Sequence, residues 1–363
     1  RFIHDRHLPD KAITLLDLAG SRVARAKQKV VRREDIAKII GVSTATISRC
    51  INSPHKVAEP TRKRIQKAVE DLGYMPHFGG RALARNRTNT IGAIIPTMDN
   101  AMFAGGLQAF QDVLSSSGVT LLVGSSNYDH NQEFEQIRAL LSQGADGLML
   151  IGEERPAKTR KFLDQHSIPH VLAWCYSDAS ASAVVGFDNR KSGRAIAEHV
   201  INQGHTKLAV IAGIRHGNDR AENRVKGIED AIEANPSSIL LGIAEAKYSF
   251  ESAATALEYL LNSPTRPTAI ICGSDVLAVG ALLRTHSLGI KVPDELSITG
   301  FDDITLAQVT SPRLTTVRIP QKEMGRQAAN VLLNILAEGQ KPGQLNRIEL
   351  ETTIIDRGTL ARL

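Results

Sequence analysis

REDIAKIIGVSTATISRCIN, residues 33–52, is the stretch on which the reading of the chain turns. It divides into two short helical runs, REDIAKII and STATISRCIN, at Gly41-Val42, where the glycine supplies a tight turn. Within it GVSTATISRC is chemically thin: four hydroxyls, one guanidinium, one thiol and no base to activate any of them. These residues make better sense as a surface. Ser43 stands where a side-chain oxygen caps the second helix, and Thr44, Ala45, Thr46 and Ser48 are small enough to let that helix come close to another molecule. Arg49 is its one long reach.

A third helical run, EPTRKRIQKAVEDLG, follows at 59–73 with Ile65, Ala68, Val69 and Leu72 on one face, and nothing before Ile91 resembles a strand. Two short helices joined by a glycine turn, the second opening on small hydroxyl residues, match the helix-turn-helix pattern, whose second helix enters the DNA major groove. Lys56, Arg62, Lys63 and Arg64 then stand ready for phosphates, which position such a module without reading sequence. The charge agrees. Residues 1–90 carry 19 Lys and Arg against 8 Asp and Glu, whereas the remainder carries 25 against 30. Alone, such a basic run reads as solvated surface; beside this motif it reads as a face for a polyanion. Residues 74–90, YMPHFGGRALARNRTNT, are poor in apolar side chains and mark a linker with one short possible helix, GRALARN.

The chain has 363 residues, 42% of them hydrophobic, enough for two or three domains with sizeable cores. From Ile91 onward the period changes. IGAIIPT (91–97), VTLLVGS (119–125), DGLMLIG (146–152), PHVLAW (169–174), KLAVIAG (207–213), TAIICGS (268–274) and LSITGFD (296–302) read as buried parallel strands, apolar without alternation. Segments such as NQEFEQIRALLSQG and KSGRAIAEHVINQG read as helices ending at glycines suited to left-handed caps. This βα repeat is too long for one sheet and divides near residue 189 into two doubly wound lobes, with a ligand cleft expected at the carboxyl ends of their strands. Cys50, Cys175 and Cys272 are far apart with no CxxC pair, which argues against a disulfide framework or structural zinc. No apolar run of eighteen residues and no amino-terminal apolar block is present, so the expectation is a cytoplasmic protein without a membrane partner. No phosphate loop, GxSxG or HExxH occurs, and neither catalysis nor a cofactor is expected.

DIAKIIGVSTATISRCINSPHKVAEPTRKRIQKAVEDLGYMP, residues 35–76, resembles the DNA-binding headpiece of the LacI/GalR family of bacterial transcription regulators. It matches that family's D-I/V-A-x-x-x-G-V-S-x-x-T-V/I-S-R-x-x-N pattern and the continuation V-x-x-x-T-R-x-x-x-x-A-x-x-x-L-G-Y-x-P. The resemblance implies an all-α helix-turn-helix headpiece over 31–76, a hinge over 77–90, and a two-lobed periplasmic-binding-protein-like α/β sensor and dimerisation domain over 91–363. It places Thr44, Ala45 and Arg49 at the variable base-reading positions, and Ser43, Thr46, Ser48, Asn52 and Lys56 where residues hold the helix or touch the DNA backbone. Leu83, eight residues before Ile91, falls where the family carries a hinge leucine that two subunits wedge into a minor-groove step.

In the body, VGFDN (185–189), DRAENRVKG (219–227), ICGSDVLAVGAL (271–282), VPDELSITGFDD (292–303) and SPRLTTVRIP (311–320) are similar to stretches of the same family. The resemblance implies effector contacts from Phe103, Arg224, Tyr248 and Asp302, with Asp99 and Asp275 near them. An arginine with carboxylates and an aromatic platform suits a small polyhydroxylated ligand, and with VGFDN and the charges of Asp99 and Arg220 the expectation is a sugar, sugar acid or similar metabolite, in a frame that sugar-binding and nucleobase-binding members of the family share. Asp275, directly after a strand, equally reads as a cap for the next helix, and Tyr248 also has a core reading. The function implied is a sequence-specific DNA-binding repressor under effector control. Without leucine heptads after the body, it is expected as a homodimer on a pseudo-palindromic operator of double-stranded DNA.

Residues 1–30 stand apart. RFIHDRHLPDKAITLLDLAGSRVARAK (1–27) resembles the small helical subdomain of Clp-type AAA+ ATPases through R-Y/F-I-x-D-R-x-L-P-D-K-A-I-x-L-x-D-x-A, yet the chain contains no GxxxxGK[ST] loop. That implies an appended, non-catalytic helical segment and leaves a second reading, a fragment or fusion derived from such an ATPase. Near this junction Arg32 stands where the regulator family usually has a capping threonine.

Overall fold

The computed structural model describes residues 31–74, 87–99, 101–338 and 346–363. The ATPase-like segment and Leu83 lie outside the described residues, as does the side chain of Asn52. The chain divides into two compact units, residues 1–86 and 87–363.

The described part of the first unit is helical: α1 (Arg33–Ile40), α2 (Thr44–Asn52), a 3-10 turn (Pro54–Lys56) and α3 (Glu59–Asp71). Gly41 ends α1 at φ 74°, the left-handed conformation that glycine enters without a Cβ penalty. Two residues later Ser43 Oγ accepts the Thr46 N–H at 3.1 Å, so the expected cap of α2 forms. At α1 the Arg32 side chain gives no cap; instead the Asp35 carboxylate accepts the Arg32 N–H at 2.8 Å. Ile36, Ile40, Ile47, Cys50, Ile65 and Tyr74 bury one small core among the helices, with Ala68, Val69 and Leu72 packed around it.

The second unit builds two parallel sheets. In the first lobe β1 (Thr90–Ile95), β2 (Thr120–Ser125), β3 (Gly147–Ile151), β4 (His170–Ala173) and β5 (Ala183–Gly186) alternate with α4 (Ala104–Ser116), α5 (His130–Ser142) and α6 (Ala157–Gln165). The second lobe runs α7 (Asn189–Asn202), β6 (Lys207–Gly213), α8 (Asp219–Glu233), β7 (Ile239–Ala246), α9 (Phe250–Leu261), β8 (Ala269–Cys272), α10 (Asp275–Ser287), β9 (Ser297–Asp302), α11 (Thr305–Val309) and β10 (Thr315–Arg318). The chain then returns: α12 (Gln321–Glu338) packs on α4, β11 (Arg347–Glu349) joins the first sheet beside β5, and β12 (Thr353–Ile355) joins the second, antiparallel to β10. The orders are β11-β5-β4-β3-β1-β2 and β12-β10-β9-β8-β6-β7.

All seven strands expected from apolar runs form; β1, β3, β4, β6, β8 and β9 are buried almost throughout, whereas β2, at the edge of its sheet and expected buried, is mostly exposed or half-exposed. The helices α5 and α7 end at Gly144 (φ 90°) and Gly204 (φ 101°), as their glycines suggested. The strands not foreseen are short, like β5, β11 and β12, or half-exposed, like β7. One core cluster continues through both lobes, from Phe103, Phe110 and Trp174 to Phe187, Phe301 and Val317.

Candidate functional site

In the helical unit, burial sorts α2 into two faces. Ile47 and Cys50 point into the core, while Thr44, Ala45 and Arg49 are exposed and Thr46 and Ser48 half-exposed beside them. Ser43 Oγ and Thr46 Oγ1 lie 2.9 Å apart, which spends both hydroxyls on fixing the start of the helix and leaves Arg49 as its projecting cation. Lys56 is exposed at the end of the 3-10 turn. Two of the basic residues expected on phosphates are engaged within the protein: Arg64 donates to the Ile40 carbonyl at 2.8 Å, satisfying a C-terminal carbonyl of α1, and Lys63 pairs with Glu59 at 3.0 Å on the surface.

In the two-lobed unit the carboxyl ends of β6, β8 and β9 bring Arg224, Asp302 and Asp275 together. Arg224 projects from α8 with its guanidinium 4.7 Å above the Phe301 ring, a cation–π contact that holds a nearly buried charge. Its Nη1 stands 3.9 Å from Asp302 Oδ1, too far for a hydrogen bond, and both Arg224 Nε and Asp302 Oδ1 lack a hydrogen-bond partner among the described residues. Asp302 itself has φ 116°, with Asp303 following at 53°. Burial pushes the Asp302 carboxyl well above the usual carboxylate range, and the neighbouring Arg224 opposes that shift.

Asp275 does not take the capping part that its place after a strand suggested. Ser274, not Asp275, caps α10 by accepting the Leu277 N–H, and Asp275 is wholly buried as the first helical residue. Its Oδ2 accepts the Ile304 N–H at 2.8 Å and its Oδ1 accepts the Thr316 hydroxyl at 2.5 Å, so it ties the turn after Asp302 to β10. Gly300 gives that carboxylate room, since a Cβ there would strike Asp275 Oδ1.

The other expected positions are more dispersed. Phe103 is buried at the start of α4, edge-on to Trp174 at 5.4 Å. Tyr248 is half-buried and stacks on Tyr128 of the first lobe, centroids 5.3 Å apart and planes 28° from parallel. Asp99 stays on the surface, where its backbone N–H donates to Thr97 Oγ1. Arg220 is buried, donating to the Ile151 carbonyl and to Asp219. Sequence reasoning missed Tyr128, Phe301 and Trp174, which sit in or next to strand-end segments and carry no spacing signal of their own. Beside Asp302 lies an open recess of about 670 Å³ lined by Ala104, Gly105, Ile304, Arg318 and Gln321, among others. No helix among the described residues is long and apolar enough to cross a membrane.

Comparison with known proteins agrees with both parts. Residues 34–77 match the description "Bacterial regulatory proteins, lacI family", and residues 197–360 match "Periplasmic binding protein-like domain". The HTH-type transcriptional repressor CytR of Escherichia coli K12 is 32% identical over 343 residues, which cover 94% of this chain and 99% of that one. The crystal structure of a LacI-family transcriptional regulator from Silicibacter pomeroyi superposes with a TM-score of 0.82 at 26% identity, covering 92% of this chain and 100% of that one. A complex of the transcriptional regulator CelR with cellobiose superposes with a TM-score of 0.66 at 25% identity over 91% and 99% of the two chains. With a helix-turn-helix surface, a two-sheet body and full-length similarity to a repressor, the chain belongs to the LacI family of bacterial regulatory proteins and is a DNA-binding transcriptional regulator, not an enzyme.

Proposed function

We propose that the protein is a cytoplasmic repressor that binds a pseudo-palindromic operator as a homodimer and whose operator affinity is set by a sugar or sugar acid held between the two lobes. The observation that carries the effector reading is the pair Arg224 and Asp302, buried 3.9 Å apart with Nε and Oδ1 unspent. A ligand hydroxyl both donates and accepts, so one or two adjacent hydroxyls satisfy the carboxylate and the guanidinium together. Phe301 and Tyr248 supply flat walls, Phe103 backs the site through Trp174, and Asp275 holds the turn that carries Asp302, with the exposed Asp99 as a further polar contact in this reading. The cellobiose complex of a relative supports the ligand class.

On the DNA side, Thr44, Ala45 and Arg49 read base edges, while Ser43, Thr46, Ser48, Asn52 and Lys56 hold the helix or meet phosphates, with Leu83 as the hinge wedge. For the dimer, Leu283 on α10 and Leu306 and Val309 on the adjoining α11 present exposed apolar side chains, Val309 being 70% exposed. A second copy is the natural cover for such a patch.

Footprinting on genomic fragments, followed by a thermal-shift screen of sugars and sugar acids, tests the reading. A protected two-fold site whose affinity falls steeply with salt, together with a sugar that raises the melting temperature of the parent but not of Arg224→Ala, is the expected result. Absent or salt-insensitive binding sinks the operator assignment, and an equal shift in Arg224→Ala sinks the effector site.

A further inference from the structure

Just ahead of β1 the chain is held more firmly than the start of a strand requires. Asp146, the residue before β3, donates its own N–H to the Thr90 carbonyl at 2.7 Å, which extends the β1–β3 pairing by one step. Its carboxylate then reaches further back. Oδ1 and Oδ2 both accept the Thr88 N–H, at 3.0 and 3.1 Å, and Oδ2 also accepts the Thr90 N–H at 3.4 Å. Between those two amides Asn89 lies at φ 54°, in the left-handed region, so the backbone bends sharply at an exposed residue. Thr88 donates its hydroxyl to the Gly144 carbonyl, and Gly144, at φ 90°, has no room for a Cβ, which would meet Thr88 Cγ2 at 2.8 Å. One residue earlier, Arg87 Nη2 donates to the Leu336 carbonyl near the end of α12. Thr88 and Arg87 precede β1, and their bonds add nothing to the sheet. What those bonds fix is the direction in which the chain enters the body from residues 75–86, the connection to the helix-turn-helix unit.

We infer that Asp146 is a positioning residue for DNA binding: with Thr88, Gly144 and Arg87 it sets the path on which the connecting residues leave the body. The inference rests on the reading of the protein as a repressor that places two helix-turn-helix units on one two-fold site. To that reading it adds a residue outside the helix-turn-helix surface, at the amino end of β3 and so opposite the strand ends that form the cleft. The physical reason is effective concentration. Once one unit is seated, the second finds its half-site as a tethered ligand, at a local concentration that is highest when the tether starts in the right direction and falls when that start can swing. A carboxylate suits the task, because it accepts both amides at once through charge-assisted bonds. Asn89 suits it too, since asparagine enters the left-handed region more readily than most residues that carry a Cβ. Asp146 makes no base contact in this scheme, so its loss changes how the two units act together and leaves what each one reads.

The probe is a two-fold duplex that the parent protein selects from a pool of random duplexes, used alongside the same duplex with one half scrambled. Both are titrated with the full chain by fluorescence anisotropy at fixed salt, at a temperature where melting curves show every variant folded. Asp146→Ala is expected to bind the two-fold duplex at least about 10-fold more weakly than the parent, and the half-scrambled duplex within about twofold of it. Asn89→Val leaves the carboxylate in place but sets a β-branched side chain at φ 54°; it is expected to lower the ratio of the two affinities in the same direction, even if Asp146→Ala proves too unstable to measure. Asp230→Asn, which breaks an ion pair with Arg190 in the second lobe, is expected to keep the parent's ratio. Variants that bind both duplexes as the parent does overturn the inference, and so does an equal loss on both duplexes, which marks the contact as structural alone. A parent that selects no two-fold duplex overturns the repressor reading itself, and the inference with it.

Discussion

Replacing Asp275 by asparagine is expected to change the pH dependence of stability more than stability itself. The carboxyl group is wholly buried, accepts from the Ile304 N–H and the Thr316 hydroxyl, and is pushed from 3.8 to about 7 by burial, against the pull of those two bonds and of Arg357, and with Asp303 adding to the rise. A group that holds its proton more tightly in the native chain contributes stability that is complete below the unfolded value, near 3.8, and is lost as pH rises through about 7. Roughly 3 pKa units at about 1.4 kcal/mol each set the full loss on the order of 4 kcal/mol, of which about 2–3 kcal/mol falls between pH 5 and pH 8. Asparagine is isosteric, keeps the Ile304 bond through its oxygen, offers its amide N–H to the Thr316 oxygen and does not titrate. Asp275→Asn is therefore expected to gain about 2–3 kcal/mol on the parent between those pH values, or roughly 5–10 °C in melting temperature for a unit of this size. Calorimetric unfolding of both proteins at pH 5, 6, 7 and 8 measures it. A difference that stays flat within about 0.5 kcal/mol would refute the argument, because it would mean that the buried carboxyl titrates as it does in water.

Three further outcomes follow from the same geometry. Arg49→Ala removes the one long side chain on the exposed face of α2 and is expected to cost about 1–3 kcal/mol in operator affinity, roughly 5- to 150-fold, in a titration at fixed salt; a change below twofold removes Arg49 from the interface. Ser43→Ala deletes the Thr46 cap and is expected to cost about 1 kcal/mol of α2 stability, seen as faster amide exchange at Thr46 and Ile47, with the protection of α8 unchanged. Leu283→Asp with Val309→Asp places charge in the exposed apolar patch and is expected to give a monomer in sedimentation and at least about 100-fold weaker operator binding; a dimer that persists assigns the contact to another face.

The first unit was legible because its signals are local. Gly41 and Ser43 fix the turn and the cap within four residues, and the period of Ile65, Ala68, Val69 and Leu72 shows which side of α3 faces inward. The bond that Arg64 makes was hidden for the opposite reason: an exposed cation on a basic helix gives no hint that a carbonyl 24 residues earlier lies within its reach. In the body the buried strands announced themselves as apolar runs, while β7, half-exposed, and β11 and β12, three residues each, were too short or too wet to do so.

By itself the sequence determined a basic helix-turn-helix module ahead of a two-lobed βα body, because helical period, capping residues and strand burial are written within one element each. The tertiary structure alone decided what those elements do at the cleft. Asp275 became a tie between β8, β9 and β10 and not a cap, Tyr248 met Tyr128 across the lobes, and Asp219 and Arg220 reached strand ends 66 and 69 residues away. Such contacts depend on strand order and on three crossings between the sheets, which bring the carboxyl ends of strands from distant parts of the chain to one place. No spacing of residues along the chain records that order.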